Sequence, residues 1–163
     1  MRKTILTRLV THWTHRIERA VSDIAVRESA LSAKIQHKKC CFQCVRAPAL
    51  RLGPYLLRVC EYLELGPSTI VVACIYFTRF LATQKDMVCD LFTKHRIAVA
   101  CLVFAHKYTS DYCTPNHIIA YAAGIKTSDL MELEMHFFRR MFVHLFVKKH
   151  DFWHNFAQMY FFQ

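Results

Sequence analysis

From Ile97 to Ala105, nine consecutive residues (Ile-Ala-Val-Ala-Cys-Leu-Val-Phe-Ala) carry no polar side chain, and Arg96 and Lys107 bracket the run. Wound as a helix, this segment is apolar on every face, which a helix half in water cannot be. It is also far short of the ~20 apolar residues that span a bilayer. The longest uncharged stretch at the core of the sequence, residues 65–78, has 14 residues and is closed by Arg79. The expectation is therefore a soluble chain in which one helix is buried at the centre and the others pack around it. A chain of 163 residues is long enough to build such a core in one domain.

Glycine and proline set the remaining boundaries. Pro48, Gly53-Pro54, Gly66-Pro67, Pro115 and Gly124 are all there are, too few glycines for a phosphate-cradling loop or a run of tight hairpins. Between them lie segments of helical length and period. Leu56, Val59, Cys60 and Leu63 share one face of a short helix opened by Pro54. Residues 68–82 read as a second helix and 91–109 as the third, central one. A fourth opens at Pro115, with Thr114 as its expected cap, and stops at Gly124. Thr127 or Ser128 is expected to cap a fifth, running to about Val147. Upstream, Trp13, Ile17, Ala20, Ile24, Leu31 and Ile35 form the stripe of an amphipathic leading helix. Residues 152–162, rich in Phe, Trp and Tyr, are expected to pack back as a last helix.

Charge is unevenly distributed. Residues 1–50 hold 10 basic and 3 acidic side chains, whereas 51–163 hold 12 and 9. A basic arm on a balanced body suits contact with something acidic, or simply a solvated extension. Its first 17 residues contain no acid, a composition shared by transit peptides and by any short basic helix. No secretory signal pattern opens the chain, so the eight cysteines are expected as reduced thiols.

In the frame of these helices the chain resembles the cyclin box, and within it the P/U-type branch. The resemblance rests on Tyr55-Leu56-x-Arg58 and Tyr62 in the first box helix, then Pro67 and Tyr76-x-x-Arg79 in the second. It continues with His95-Arg96, Ala105-x-Lys107 and Asp111 around the third, and Asn116, Ala120 and Gly124-Ile125 around the fourth. Leu130, Leu133-Glu134 and Phe137-Phe138 complete it in the fifth. The likeness implies an all-α fold: one cyclin box of five helices around the central buried helix, flanked by N- and C-terminal helices. The expected organisation is a basic extension over 1–50, the box over 51–150 and a terminal helix over 151–163.

The resemblance also implies a function. A cyclin has no active site and no cofactor; it binds a cyclin-dependent protein kinase and positions the kinase's αC helix, a population shift in a two-state partner. In the family, a Lys ending the third helix and a Glu in the fifth sit side by side at that contact, and here they are Lys107 and Glu134. Read without the family, Lys107 is a cation near a helix C-terminus and Glu134 an ordinary acid. Arg58, Arg79, Asp111, Asn116 and Gly124 are expected to stabilise the box. Thr78 stands where an Asp usually pairs with a basic residue of the first box helix, Met131 where an Asn is usual, and Ala123 where the first of two glycines is usual. The chain is also expected to be too short for a second cyclin repeat, and the Met-Arg-Ala-Ile-Leu docking signature of mitotic cyclins is not recognisable. The expected location is cytoplasmic, nuclear or both, without membrane attachment or a small-molecule substrate.

His37, Cys40, Cys41 and Cys44 tempt a zinc assignment. On one straight helix they would spread over about 10 Å of axis, which cannot close a tetrahedron around one metal. A buried thiol stripe is therefore expected rather than a metal site; zinc would need the helix to break between Cys41 and Cys44, or a ligand from elsewhere. Cys60, Cys74, Cys89, Cys101 and Cys113 are expected as small core residues. A nucleic-acid-associated or transcription module on the cyclin fold ranks second, since the basic residues cluster in the arm. A purely structural interaction domain ranks third.

Overall fold

In the computed structural model, residues 2–30, 41–83, 89–112 and 114–161 are described, with backbone alone for residues 2 and 24–30. Seven α-helices account for most of them: α1 (Arg2–Ala30), α2 (Leu52–Tyr62), α3 (Pro67–Thr83), α4 (Lys94–Thr109), α5 (Asn116–Ala123), α6 (Thr127–Met141) and α7 (Lys149–Phe161). A short 3₁₀ turn, Phe142–His144, follows α6. No strand occurs among the described residues. Among the described residues the all-α expectation holds, with five helices, α2 to α6, between a leading and a closing helix.

The apolar run does what its composition demands. Along α4, every residue from Ile97 to Val103, and Ala105, is buried. It shares the centre with α3, which is buried without a break from Thr69 to Phe77. These two pack on each other, while α1, α6 and α7 lie against α3, and α2 and α6 against α4. The leading helix joins this core: Leu6, Leu9, Val10, Trp13 and Ile17 are buried on one face of α1. Of the stripe expected there, Ala20 is packed against the core. Ile24's side chain, Leu31 and Ile35 lie outside the described residues.

Several helix ends differ from the sequence expectation, each for a local reason. α4 starts at Lys94 rather than residue 91, because the Asp90 carboxylate folds the preceding turn, accepting Phe92 and Thr93 N–H at 2.8 and 2.9 Å. Thr114 does not cap α5; Pro115 holds the N-cap position, and the Thr114 hydroxyl meets His106 Nε2 at 2.8 Å. Thr127 and Ser128 both lie inside α6, whose N-cap is Lys126 without a side-chain cap. α6 stops at Met141, short of Val147. Beyond it, Tyr76 OH donates to the Leu145 carbonyl at 2.8 Å, and Arg79 donates to those of His144 and Phe146 at 2.7 and 2.8 Å. Donors from α3 thus hold three successive carbonyls of the connector to α7. Gly124 ends α5 as expected, in the left-handed conformation at φ 68° that favours glycine.

Candidate functional site

Lys107 occupies the last turn of α4, Asn116 opens α5 and Glu134 lies in the second turn of α6. The packing of these helices brings all three together. Lys107 Nζ donates to Glu134 Oε1 and, at 3.2 Å, to Asn116 Oδ1. Asn116 Nδ2 donates to Glu134 Oε2 at 2.6 Å. Both carboxylate oxygens are thereby occupied, and the Glu134 side chain is only 13% exposed against 32% for Lys107. An ammonium has three donors; two are used here, and the third is left for an incoming acceptor. The cluster is nearly neutral in sum and fixed on both sides by helices.

Around it runs an exposed apolar stripe. Met131, Met135, Phe138 and Phe142, spaced at i, i+4, i+7 and i+11 from α6 into the 3₁₀ turn, are all exposed. The buried stripe of the same helix, Leu130, Leu133, Phe137 and Met141, is anchored by Phe137 against Phe80 and Phe104, at 5.0 and 4.8 Å between ring centroids. Phe138 stacks on Phe104 at 6.3 Å, so the outer stripe rests on the core it borders. The sequence carries this signal as a second apolar period within one helix, beyond what a single core stripe needs. Met131, noted as a departure from the usual Asn, belongs to it.

The other marked residues are distributed elsewhere. Arg58 on α2 donates to the Ala122 carbonyl at 3.4 Å, and Tyr55 OH to that of Ala123 at 2.8 Å. Together they satisfy the C-terminal end of α5, where Gly124 turns the chain and a Cβ would meet Arg58 Nη2 at 3.5 Å. Arg79 pairs with Asp151 at 2.9 Å besides gripping the connector carbonyls. Asp111 is exposed just past α4 and forms no ion pair among the described residues. The Thr78 hydroxyl instead accepts from Arg16 of the leading helix, at 3.3 Å. Arg96 donates to Asp129 at 2.9 Å and to the Cys41 carbonyl at 2.7 Å, and Lys94 pairs with Glu18 at 2.7 Å.

The cysteine reading divides. Cys60, Cys74, Cys89 and Cys101 are buried as expected, and burial pushes the Cys60 and Cys89 thiols up to about 12 and the Cys74 thiol to about 11. Cys113, His37 and Cys40 lie outside the described residues. Cys41 and Cys44 sit in turn and loop, not on a helix, and both are half-buried, so the helical thiol stripe is corrected over this part. Cys41, Glu132 and His136 each bring a donor atom within 4.8 Å of the others. His136 and Glu132 are also an ordinary i,i+4 pair at 3.9 Å on α6.

A family model described as Cyclin matches residues 3–144. The chain belongs to the cyclin family. It is 32% identical to Cyclin-U2-2 of Arabidopsis thaliana, over 82% of this chain and 56% of that protein. It is also 32% identical to Cyclin-P4-1 of Oryza sativa subsp. japonica, over 82% of this chain and 60% of that one. The match to Cyclin-U4-1 of Arabidopsis thaliana is 26%, over 82% and 65%. The protein is thus a P/U-type cyclin, in agreement with the motif reading, and it spans just over half the length of the first two of these relatives. Membership in the family supports a regulatory role. No described helix of the cyclin is long and apolar enough to cross a membrane.

Proposed function

We propose that this cyclin binds and activates a cyclin-dependent protein kinase, in the cytoplasm, the nucleus or both, through the face carrying Lys107, Asn116 and Glu134. The observation that supports it most is the pairing of a charge-satisfied polar cluster with an exposed apolar stripe on the same helix. Large exposed apolar side chains in a row mark protein interfaces, and aromatic and Met side chains are enriched at interface cores. A fixed lysine at their edge supplies a charge-assisted bond to a carbonyl on the partner, which sets register. The kinase gains because the cyclin binds only the state with its αC helix drawn inward, and the equilibrium shifts by that differential affinity.

The test is affinity capture from cell extract with mass spectrometry, with the wild type beside the Lys107→Glu/Glu134→Lys double variant. The exchange keeps the internal ion pair, so helicity by circular dichroism is expected to be unchanged. Recovery of a cyclin-dependent kinase by the wild type, reduced at least tenfold in the folded variant, is the expected result. Equal recovery by both would remove these residues from the interface. Recovery of nucleic acid or transcription factors and no kinase would overturn the function itself.

A further inference from the structure

One face of α1 gathers a row of basic side chains. Arg8, His12, His15, Arg16 and Arg19 follow at i, i+4, i+7, i+8 and i+11, which places them in one row facing α7. The row borders two clefts of about 490 and 560 Å³, which share His12, Arg16 and Arg19. His154 of α7 lines the second from the opposite wall. No carboxylate lines either cleft. Elsewhere Arg79, Lys94, Arg96 and Lys107 each meet an Asp or Glu. Arg16 meets only neutral acceptors: Cys74 Sγ at 3.3 Å, Asn155 Oδ1 at 3.2 Å and Thr78 Oγ1 at 3.3 Å. Arg8 lies 5.7 Å over the Tyr160 ring, and neither Arg8 nor Arg19 forms an ion pair among the described residues.

Three guanidinium groups held in a row without counter-charge repel one another, and an anion placed among them relieves that repulsion while accepting bonds from each. The row from Arg8 to Arg19 spans about 16 Å of helix axis at 1.5 Å per residue. One phosphate reaches only a part of it; two or more in series are needed to engage its length. Cleft volumes of this order are those of small-molecule sites. No Phe, Tyr or Trp lines either cleft, so the stacking platform that single-stranded nucleic acid uses is missing there. We propose that the α1–α7 cleft binds a small, free anion bearing two or more phosphate groups, held by Arg8, Arg16 and Arg19. The positive field is already felt within the row: His12 is held below the usual imidazole range by burial and then by Arg16, His15 and Arg19. The cleft contains none of Lys107, Asn116 and Glu134, so this inference and the kinase reading stand or fall separately.

The test is isothermal titration of the full chain with tripolyphosphate, pyrophosphate and orthophosphate at fixed ionic strength. The same titrations are run on Arg8→Gln/Arg19→Gln and on Lys126→Gln/Arg139→Gln, which removes two charges from exposed positions elsewhere. Tripolyphosphate is expected to bind at least tenfold more tightly than orthophosphate. Arg8→Gln/Arg19→Gln is expected to lose at least tenfold in affinity with its thermal midpoint kept, since both side chains are exposed. The control variant is expected to bind as the wild type does. Equal weakening in both variants would reduce the effect to net charge and overturn the site. Binding only to vesicles containing phosphatidylinositol bisphosphate, or only to an oligonucleotide, with none to tripolyphosphate, would overturn the free small ligand.

Discussion

Arg79 and Lys107 are both cations that meet one carboxylate on a neighbouring helix, and they hold different things. Arg79 bonds two backbone carbonyls of the α6–α7 connector as well as Asp151, so three charge-assisted bonds from one side chain fasten the closing helix to α3. Lys107 bonds only side chains, Glu134 and Asn116, whose helices are already packed through Leu130, Leu133, Ile119 and Ala120. Loss of Arg79 leaves backbone acceptors without partners; loss of Lys107 leaves a single carboxylate that Asn116 still serves. Two ion pairs of similar appearance therefore mark a fastening and an available group. What separates them is the number of backbone groups each satisfies.

The contrast can be broken most directly at Arg79. Arg79→Ala is expected to cost about 2–4 kcal/mol, by the usual worth of bonds to charged groups counted short of full additivity. At this chain length that corresponds to a fall of roughly 5–15 °C in the thermal midpoint. A fall of a degree or two in a calorimetric scan would show that the connector is held by its apolar contacts instead.

Protonation probes the surroundings of α4. His106, next to Lys107, links α4 to the loop before α5 through Thr114, and burial keeps its ring below the usual imidazole range. Burial holds His95 low as well; its Nε2 meets the Leu50 carbonyl at 3.0 Å while the buried Nδ1 has no partner among the described residues. Both are neutral in the folded state at a pH where the unfolded chain has taken up protons. Stability is then greatest above about pH 6.5, declines as pH falls below it, and levels off beneath the folded-state values. Urea midpoints between pH 8 and 5 should trace that decline, and His95→Gln should make it shallower, leaving the share of His106 and His12. A decline of unchanged size in that variant would assign the protons elsewhere.

Lys107→Gln is expected to cost about 1–2 kcal/mol, less than Arg79→Ala because Asn116 still donates to the largely buried Glu134 carboxylate, while reducing kinase capture tenfold or more. A stability loss approaching that of Arg79→Ala would make Lys107 a fastening too. The smallest expected effect is Thr78→Asp. It restores the carboxylate usual at that position and sets it against Arg16, stabilising by roughly 0.5–1 kcal/mol. It should also weaken tripolyphosphate binding several-fold by supplying the counter-charge that the α1 row lacks; unchanged titration curves would separate Thr78 from that row.

Residues along this chain foretell a site unevenly. Lys107 and Glu134 are legible from their positions near two helix ends and their family spacing. Asn116 is read from sequence as a stabiliser of the box, and its bridging place depends on how α5 sits against α6, which no local pattern encodes. The row of basic residues in α1 is visible as charge. That it faces α7 without a carboxylate depends on where Glu18 and Asp151 find their partners, 76 and 72 residues away along the chain. The stripe of Met131, Met135, Phe138 and Phe142 is plain in spacing, yet an apolar period alone does not say which of two stripes is buried.

The sequence by itself determined that this chain is all-helical and built around a helix buried on every side. A run of apolar residues too short for a bilayer has no other stable place, and glycine and proline leave few points at which a helix can end. Tertiary structure decided the rest: the early stop of α6, the pairing of α3 with α4 at the centre, and which cations find carboxylates. Those outcomes turn on donors and acceptors that meet only after distant helices pack, since a backbone carbonyl or an ammonium takes whichever partner the fold brings within reach.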